Sequence, residues 1–144
     1  MDNQQKDQCV TASLVSENER FSFLPRYFGR KSFFLGEPLV YSWLDRLSED
    51  YTGGFWNFYE VSNGGFYMAP AGDSLYRIEV EGNGYHGQVS ADAAGIIATF
   101  FALGQLAATV QDADECGPLI DRYHFLLEFA DAHPEGGAIF QAID

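Results

Sequence analysis

The segment Gly53-Gly54-Phe55-Trp56-Asn57-Phe58-Tyr59-Glu60-Val61-Ser62-Asn63-Gly64-Gly65-Phe66-Tyr67-Met68-Ala69-Pro70 limits the fold more than any other part of the chain. Two aromatic-rich runs flank Asn63-Gly64, the strongest short-range signal for a tight β-hairpin. With Asn63 and Gly64 as a two-residue loop, Val61 pairs with Phe66, Glu60 with Tyr67 and Tyr59 with Met68. Side chains alternate faces along a strand. One face then carries Tyr59, Val61, Phe66 and Met68; the other carries Trp56, Phe58, Tyr67 and Ala69. Both faces are apolar, so the hairpin is expected to lie between helices rather than to have one wet side. An exposed aromatic binding face is the weaker reading.

Other segments supply that cover. Tyr76, Ile78 and Val80 alternate with Arg77, Glu79 and Glu81 as a half-buried strand, and Gly82-Asn83-Gly84 turns it into Tyr85–Val89. The two hairpins are expected to form one antiparallel sheet of about four strands. Glu37 to Ser48 reads as a helix, with Gly36 as its cap and Pro38 in the first turn, where a missing N–H costs nothing. Ser90 caps a second helix, with Asp92 in the first turn favoured by the helix dipole. From Ala93 to Val110 there are 18 residues without a charge. A bilayer span takes roughly 20 apolar residues, but Gly95, Thr99, Gly104, Gln105 and Thr109 dilute this run. Its flanks are acidic and lack Lys or Arg anchors. A helix apolar all round is the buried centre of a domain. Gly117-Pro118 opens a last main helix, with Leu119, Ile120, Tyr123, Leu126, Leu127 and Ala130 inward, and Pro134 and Gly136-Gly137 stop it. The fold class is α+β, a small antiparallel sheet of two hairpins packed with several helices, one central and buried.

At 144 residues and 47% hydrophobic content the chain can bury a core and is not globally disordered. Residues 1–16 read as a mobile N-terminal tail and 17–144 as a single domain. The polar start Met1-Asp2-Asn3-Gln4 has no signal-peptide character. Cys9 and Cys116 are two and far apart, which favours a reducing cytoplasm. The net charge of −13 is uneven: residues 1–77 hold 10 acids and 7 bases, residues 78–144 hold 11 acids and one base, Arg122. Such a half is repelled by the DNA backbone, so direct nucleic-acid binding is disfavoured. Solubility alone accounts for most acidic surfaces; attraction to a basic protein surface is the sharper alternative.

No catalytic or cofactor-binding constellation emerges. His86, His124 and His133 are scattered and lack metal-ligand spacing. Cys116 has no pattern around it for nucleophilic work. Asp112, Asp114 and Glu115 lack the EF-hand arrangement and read as a solvated link between helices.

The aromatic hairpin block closely resembles one in the antirestriction proteins of the ArdB/KlcA type. Phe23-Leu24-Pro25-Arg26-Tyr27-Phe28-Gly29, Leu39-Val40-Tyr41-Ser42-Trp43-Leu44-Asp45-Arg46-Leu47, Ser90-Ala91-Asp92-Ala93-Ala94-Gly95-Ile96-Ile97, Tyr123-His124 and His133-Pro134-Glu135-Gly136-Gly137-Ala138-Ile139 through Asp144 are similar to further blocks of that family. The resemblance runs from about Phe21 to the C-terminus. It implies a small acidic protein of plasmids and other mobile elements that inhibits the host's type I restriction enzymes and so protects incoming DNA. The implied partner is the type I restriction-modification enzyme, met directly or indirectly, with no cofactor, metal, membrane or nucleic acid. Asn63, Gly64, Gly65, Asp92 and Asp144 are the candidate partner contacts. Inhibition could mimic DNA in the enzyme's channel or block a step without competing for it. Mimicry needs about one charge per 1.7 Å of duplex axis, which 21 acids offset by 8 bases and an uncharged long helix serve poorly. The indirect block is therefore preferred. A different class, an enzyme or small-molecule binder with an aromatic pocket near Trp56, Phe58, Tyr67 and Tyr85, is the alternative.

Overall fold

The computed structural model describes residues 9–144. Strand β1 (Ala12–Leu14) and a single 3₁₀ turn (Glu17–Glu19) precede helices α1 (Arg20–Phe28) and α2 (Phe33–Leu47). Strands β2 (Trp56–Val61), β3 (Phe66–Pro70), β4 (Leu75–Val80) and β5 (Tyr85–Ser90) follow, then helices α3 (Ala91–Thr109), α4 (Ala113–Asp131) and α5 (Gly136–Ile143). The class is α+β, as the sequence implies. The single four-stranded sheet is not formed: β1-β2-β3 make one antiparallel sheet and β4-β5 another. The outer edge of β3 is closed by α3 instead of a strand. A Cβ on Gly95 would lie 2.2 Å from the Met68 carbonyl oxygen, so only glycine lets the helix approach this far. There Met68 N–H donates to Thr99 Oγ1 at 3.2 Å, and Thr99 Oγ1 donates to the Gly95 carbonyl at 2.8 Å. An edge strand's free polar groups are thus paired by a buried threonine.

The expected mobile tail needs correction. Residues 1–8 lie outside the described residues, but Ala12–Leu14 pair with Tyr59–Val61, and buried Val15 continues the strand into the core.

The first hairpin's register is one residue off the expected one. Glu60 pairs with Phe66, Tyr59 with Tyr67 and Phe58 with Met68. The loop is Ser62-Asn63-Gly64, closed by Val61 N–H to the Gly65 carbonyl at 2.9 Å. Only Gly64 has positive φ, at 100°, because the Asn63 side chain accepts from Gly65 N–H and needs no left-handed backbone of its own. A slip of one residue reassigns every cross-strand neighbour. Trp56, Phe58, Phe66 and Met68 share one face; Tyr59 and Tyr67 share the other. On the first face Phe23 of α1 meets Phe58 and Phe66 with ring centres 5.1 and 5.6 Å away, and Tyr41 of α2 meets Trp56 at 4.9 Å. On the second, Tyr67 stacks on Phe129 of α4 at 5.5 Å. Helices therefore cover both faces.

Two helix starts also move. Helix α2 begins at Phe33, so Gly36 lies inside it, where a Cβ would sit 2.3 Å from the Phe28 ring. That glycine serves close packing, not capping. Helix α4 begins at Ala113, capped by Asp112 Oδ1 accepting from Asp114 N–H at 2.9 Å, so Gly117-Pro118 lie within it. Leu119, Leu126 and Ala130 are buried on its inner side, whereas Ile120 is 44% exposed. Helix α3 is long and apolar enough to cross a membrane by length and composition, yet two thirds of it is buried inside the fold. It touches α2, β3, α4 and α5 and forms the axis of the core.

Candidate functional site

Asp92 is the proposed contact with the most elaborate surroundings. Ser90 caps α3, its Oγ accepting from Ala93 N–H at 3.1 Å. Asp92 follows in the first turn, where the positive end of the helix dipole favours a carboxylate. Its Oδ1 accepts the Tyr67 hydroxyl at 2.8 Å and its Oδ2 faces His133 Nε2 at 2.8 Å. The other ring nitrogen, Nδ1, accepts Glu135 N–H at 2.9 Å, which leaves Nε2 as the donor to Asp92. The Glu135 carboxylate turns back to α3, accepting Ser90 N–H at 2.9 Å and Ser90 Oγ–H at 2.5 Å. Burial first, and the Asp92 charge second, push the Tyr67 phenol far above its usual range, so it remains a donor.

The arrangement braces the turn between α4 and α5 against the start of α3. Ser90 donates its hydroxyl hydrogen bond to Glu135 while capping α3, and His133 is paired with Asp92. Among the described residues, no three His, Cys, Asp or Glu side chains are grouped to hold a metal ion. His133→Ala is expected to cost about 1–3 kcal/mol, since it leaves Asp92 short of a partner and the Glu135 N–H uncapped. Combined with Asp92→Asn in a double-mutant cycle, it should show a coupling of about 0.5–3 kcal/mol in urea unfolding. Strict additivity would disprove the brace.

Asn63, Gly64 and Gly65 dock on α4. Asn63 Nδ2 donates to the Phe125 carbonyl at 2.9 Å and to Glu128 Oε1 at 2.8 Å. A Cβ on Gly65 would come within 3.0 Å of Phe125 Cβ. Positive φ accounts for Gly64, close approach for Gly65, and the side-chain hydrogen bonds for Asn63. One residue beyond Glu128 on α4, Phe129 stacks on Tyr67, which stacks on Tyr59, and meets His133 edge-on, so the same helix also borders the Asp92 cluster. Asp144 is not part of this strip: it ends α5, exposed, beside Tyr123 and Leu127 on another side of α4.

Sequence reasoning missed His133, Glu135, Tyr67 and Ser90 as one cluster. The signal was present in His133-Pro134-Glu135-Gly136-Gly137, read there as a helix stop. It also missed the partners of Asp112 and Glu115 at the start of α4. Asp112 pairs with Lys31 at 2.6 Å, and Glu115 accepts Lys31 N–H at 3.0 Å and Ser32 Oγ–H at 3.0 Å, just before α2. Asp112 and Glu115 tie the start of α4 to the start of α2, whereas Asp114 is exposed to solvent as expected. The aromatic pocket does not form: Trp56, Phe58 and Tyr67 are buried in the core, and Tyr85 lies on the other sheet.

Residues 49–144 match the family model for antirestriction proteins. The chain is 58% identical over 139 residues to an antirestriction protein KlcA of Escherichia coli, covering 96% of this chain and 98% of the relative. It is 38% identical over 138 residues to the uncharacterised protein YafX of Escherichia coli K12, covering 94% of this chain and 88% of that one. A solved structure, 58% identical, superposes with a TM-score of 0.87 over 95% of this chain and 96% of that one. It comes from work showing that the KlcA and ArdB proteins have a novel fold and antirestriction activity against type I DNA restriction systems in vivo but not in vitro. With near-complete coverage at this identity and the same fold, the chain belongs to the antirestriction protein family of KlcA and ArdB.

Proposed function

We propose that this protein relieves type I restriction in the cell, protecting incoming unmodified DNA on a mobile element, and does so as a cytoplasmic binding protein rather than an enzyme. The observation that carries the reading is the reported activity of KlcA and ArdB in vivo, set beside 58% identity across almost the whole chain. Their inactivity in vitro favours an indirect block over occupation of the enzyme's DNA channel. The distribution of charge favours it as well. Of the acids after residue 77, Asp92, Asp112, Glu115, Glu128 and Glu135 are hydrogen-bonded within the chain, and α3 carries only Asp92. Acids tied up within the chain are poorly suited to mimicry, which needs about one free charge per 1.7 Å of duplex axis.

Expression in a host with a type I system is expected to raise plating of unmodified phage. Unchanged plating with soluble protein present refutes the function. In a titration with purified nuclease and a recognition-site duplex, no displacement of the duplex is expected. Displacement at stoichiometric protein would replace the indirect block with mimicry.

A further inference from the structure

We propose that a groove beside α3 and α5 takes a basic, amphipathic segment of a partner protein. Three clefts share walls and so run into one another. The largest, about 700 Å³, lies against Trp43 and Phe101. These two residues also line the second cleft, which reaches Tyr123 and Ile143. Those in turn line the third, which ends at Leu127, Phe140 and Asp144. Along the floor Trp43, Phe101, Tyr123, Leu127, Phe140 and Ile143 are half-exposed, above buried Leu47, Val80 and Phe100. Contiguous apolar surface of this kind marks a binding groove for apolar side chains.

The floor is also preset. Trp43 stacks on Phe101 with ring centres 4.7 Å apart and planes 20° from parallel, its Nε1–H donates to Gln105 Oε1 at 2.9 Å, and the Arg46 guanidinium lies 4.9 Å from its ring centre. A locked aromatic loses little freedom when a partner lands on it.

The rim decides which partner. Glu49, Glu79, Glu81 and Asp144 are exposed along it, and among the described residues their side-chain carboxylates form no hydrogen bond or salt bridge. The two rim cations are engaged: Arg77 grips Asp50 through Nε at 3.2 Å and Nη2 at 3.0 Å, and Arg46 lies on Trp43. An apolar floor under a negative rim is complementary to a segment with apolar residues on one side and Lys or Arg on the other. Nucleic acid and a second copy of this acidic chain would both be repelled. Binding of such a segment stands apart from the proposed relief of restriction, which bears only on which protein supplies it.

The test uses the full chain and a peptide of about 18 residues, five helical turns, with Leu on one side and Lys on the other. Calorimetry at about 0.1 M salt should show binding. The same peptide with Glu for Lys should not bind, and one with Ser for Leu should bind at least roughly tenfold more weakly. Glu79→Lys with Glu81→Lys should weaken the Leu/Lys peptide by roughly tenfold, whereas Glu17→Lys with Glu19→Lys, an equal charge change away from the groove, should not. Trp43 emission should shift on binding. No binding of the Leu/Lys peptide, equal binding of the Leu/Glu peptide, or equal weakening by both reversals would overturn the groove. So would dimerisation of the free chain that the Glu79/Glu81 reversal strengthens. Plating separates the two proposals. If the Glu79/Glu81 variant loses the peptide but keeps restriction relief, the groove is not the acting surface and the function stands. If the native chain binds the peptide but gives no relief, the function falls and the groove stands.

Discussion

Gly95→Ala is expected to destabilise the protein by about 2–5 kcal/mol, although alanine is the better helix former. The new methyl would meet the Met68 carbonyl oxygen at 2.2 Å and Ala69 Cα at 2.3 Å. Both are backbone atoms of a strand and cannot rotate away. Helix α3 has to retreat, which strains a close-packed core by about 1–3 kcal/mol or more. Retreat also breaks the bond from Met68 N–H to Thr99, leaving a buried donor unpaired at about 1–3 kcal/mol. The gain in helix propensity, at most about 1 kcal/mol, does not offset this. Gly104→Ala is the control: its nearest neighbour would be Tyr123 at 3.8 Å, so it should be neutral or slightly stabilising. Urea midpoints of the two variants decide the matter, and an unchanged midpoint for Gly95→Ala would mean that α3 is not seated on β3.

Trp56→Ala is expected to cost about 3–5 kcal/mol, the usual loss on emptying a large aromatic site. Trp56 is 3% exposed, meets the edges of Tyr41 and Tyr51, and donates its indole N–H to the Tyr51 hydroxyl at 3.0 Å. Its removal opens a cavity and frees a tyrosine hydroxyl at once. A variant that kept its melting temperature while losing restriction relief would make Trp56 a contact residue instead of a core one.

What could be read in advance follows the range of the interactions involved. The hairpins, the Ser90 cap and the burial of α3 rest on neighbours in sequence, and these are legible. The register of the first hairpin hinged on whether Asn63 uses its backbone or its side chain to make the turn. Only the contact with Gly65, together with the docking on Phe125 and Glu128, settles that. The split into two sheets was hidden because the competitor for the edge of β3 is a helix, admitted by a single missing methyl group at Gly95. The roles of Asp112 and Glu115 were hidden because their partners, Lys31 and Ser32, lie 81 and 83 residues away along the chain. The Asp92 strip likewise joins four segments, and each residue has a bland local explanation when taken alone.

The central position of α3 has a consequence for how the chain is made. On the ribosome this apolar helix emerges before α4 and α5, which supply much of its cover. At about 5–20 residues per second, residues 110–144 take on the order of seconds to follow. During that interval the nascent chain presents a helix without charge beyond Asp92, with one side against β3 and α2 and the other bare. Chaperones that hold apolar segments would find their target there. Truncation within the last two helices would then be felt as misfolding of the whole nascent chain, not as the trimming of a terminus.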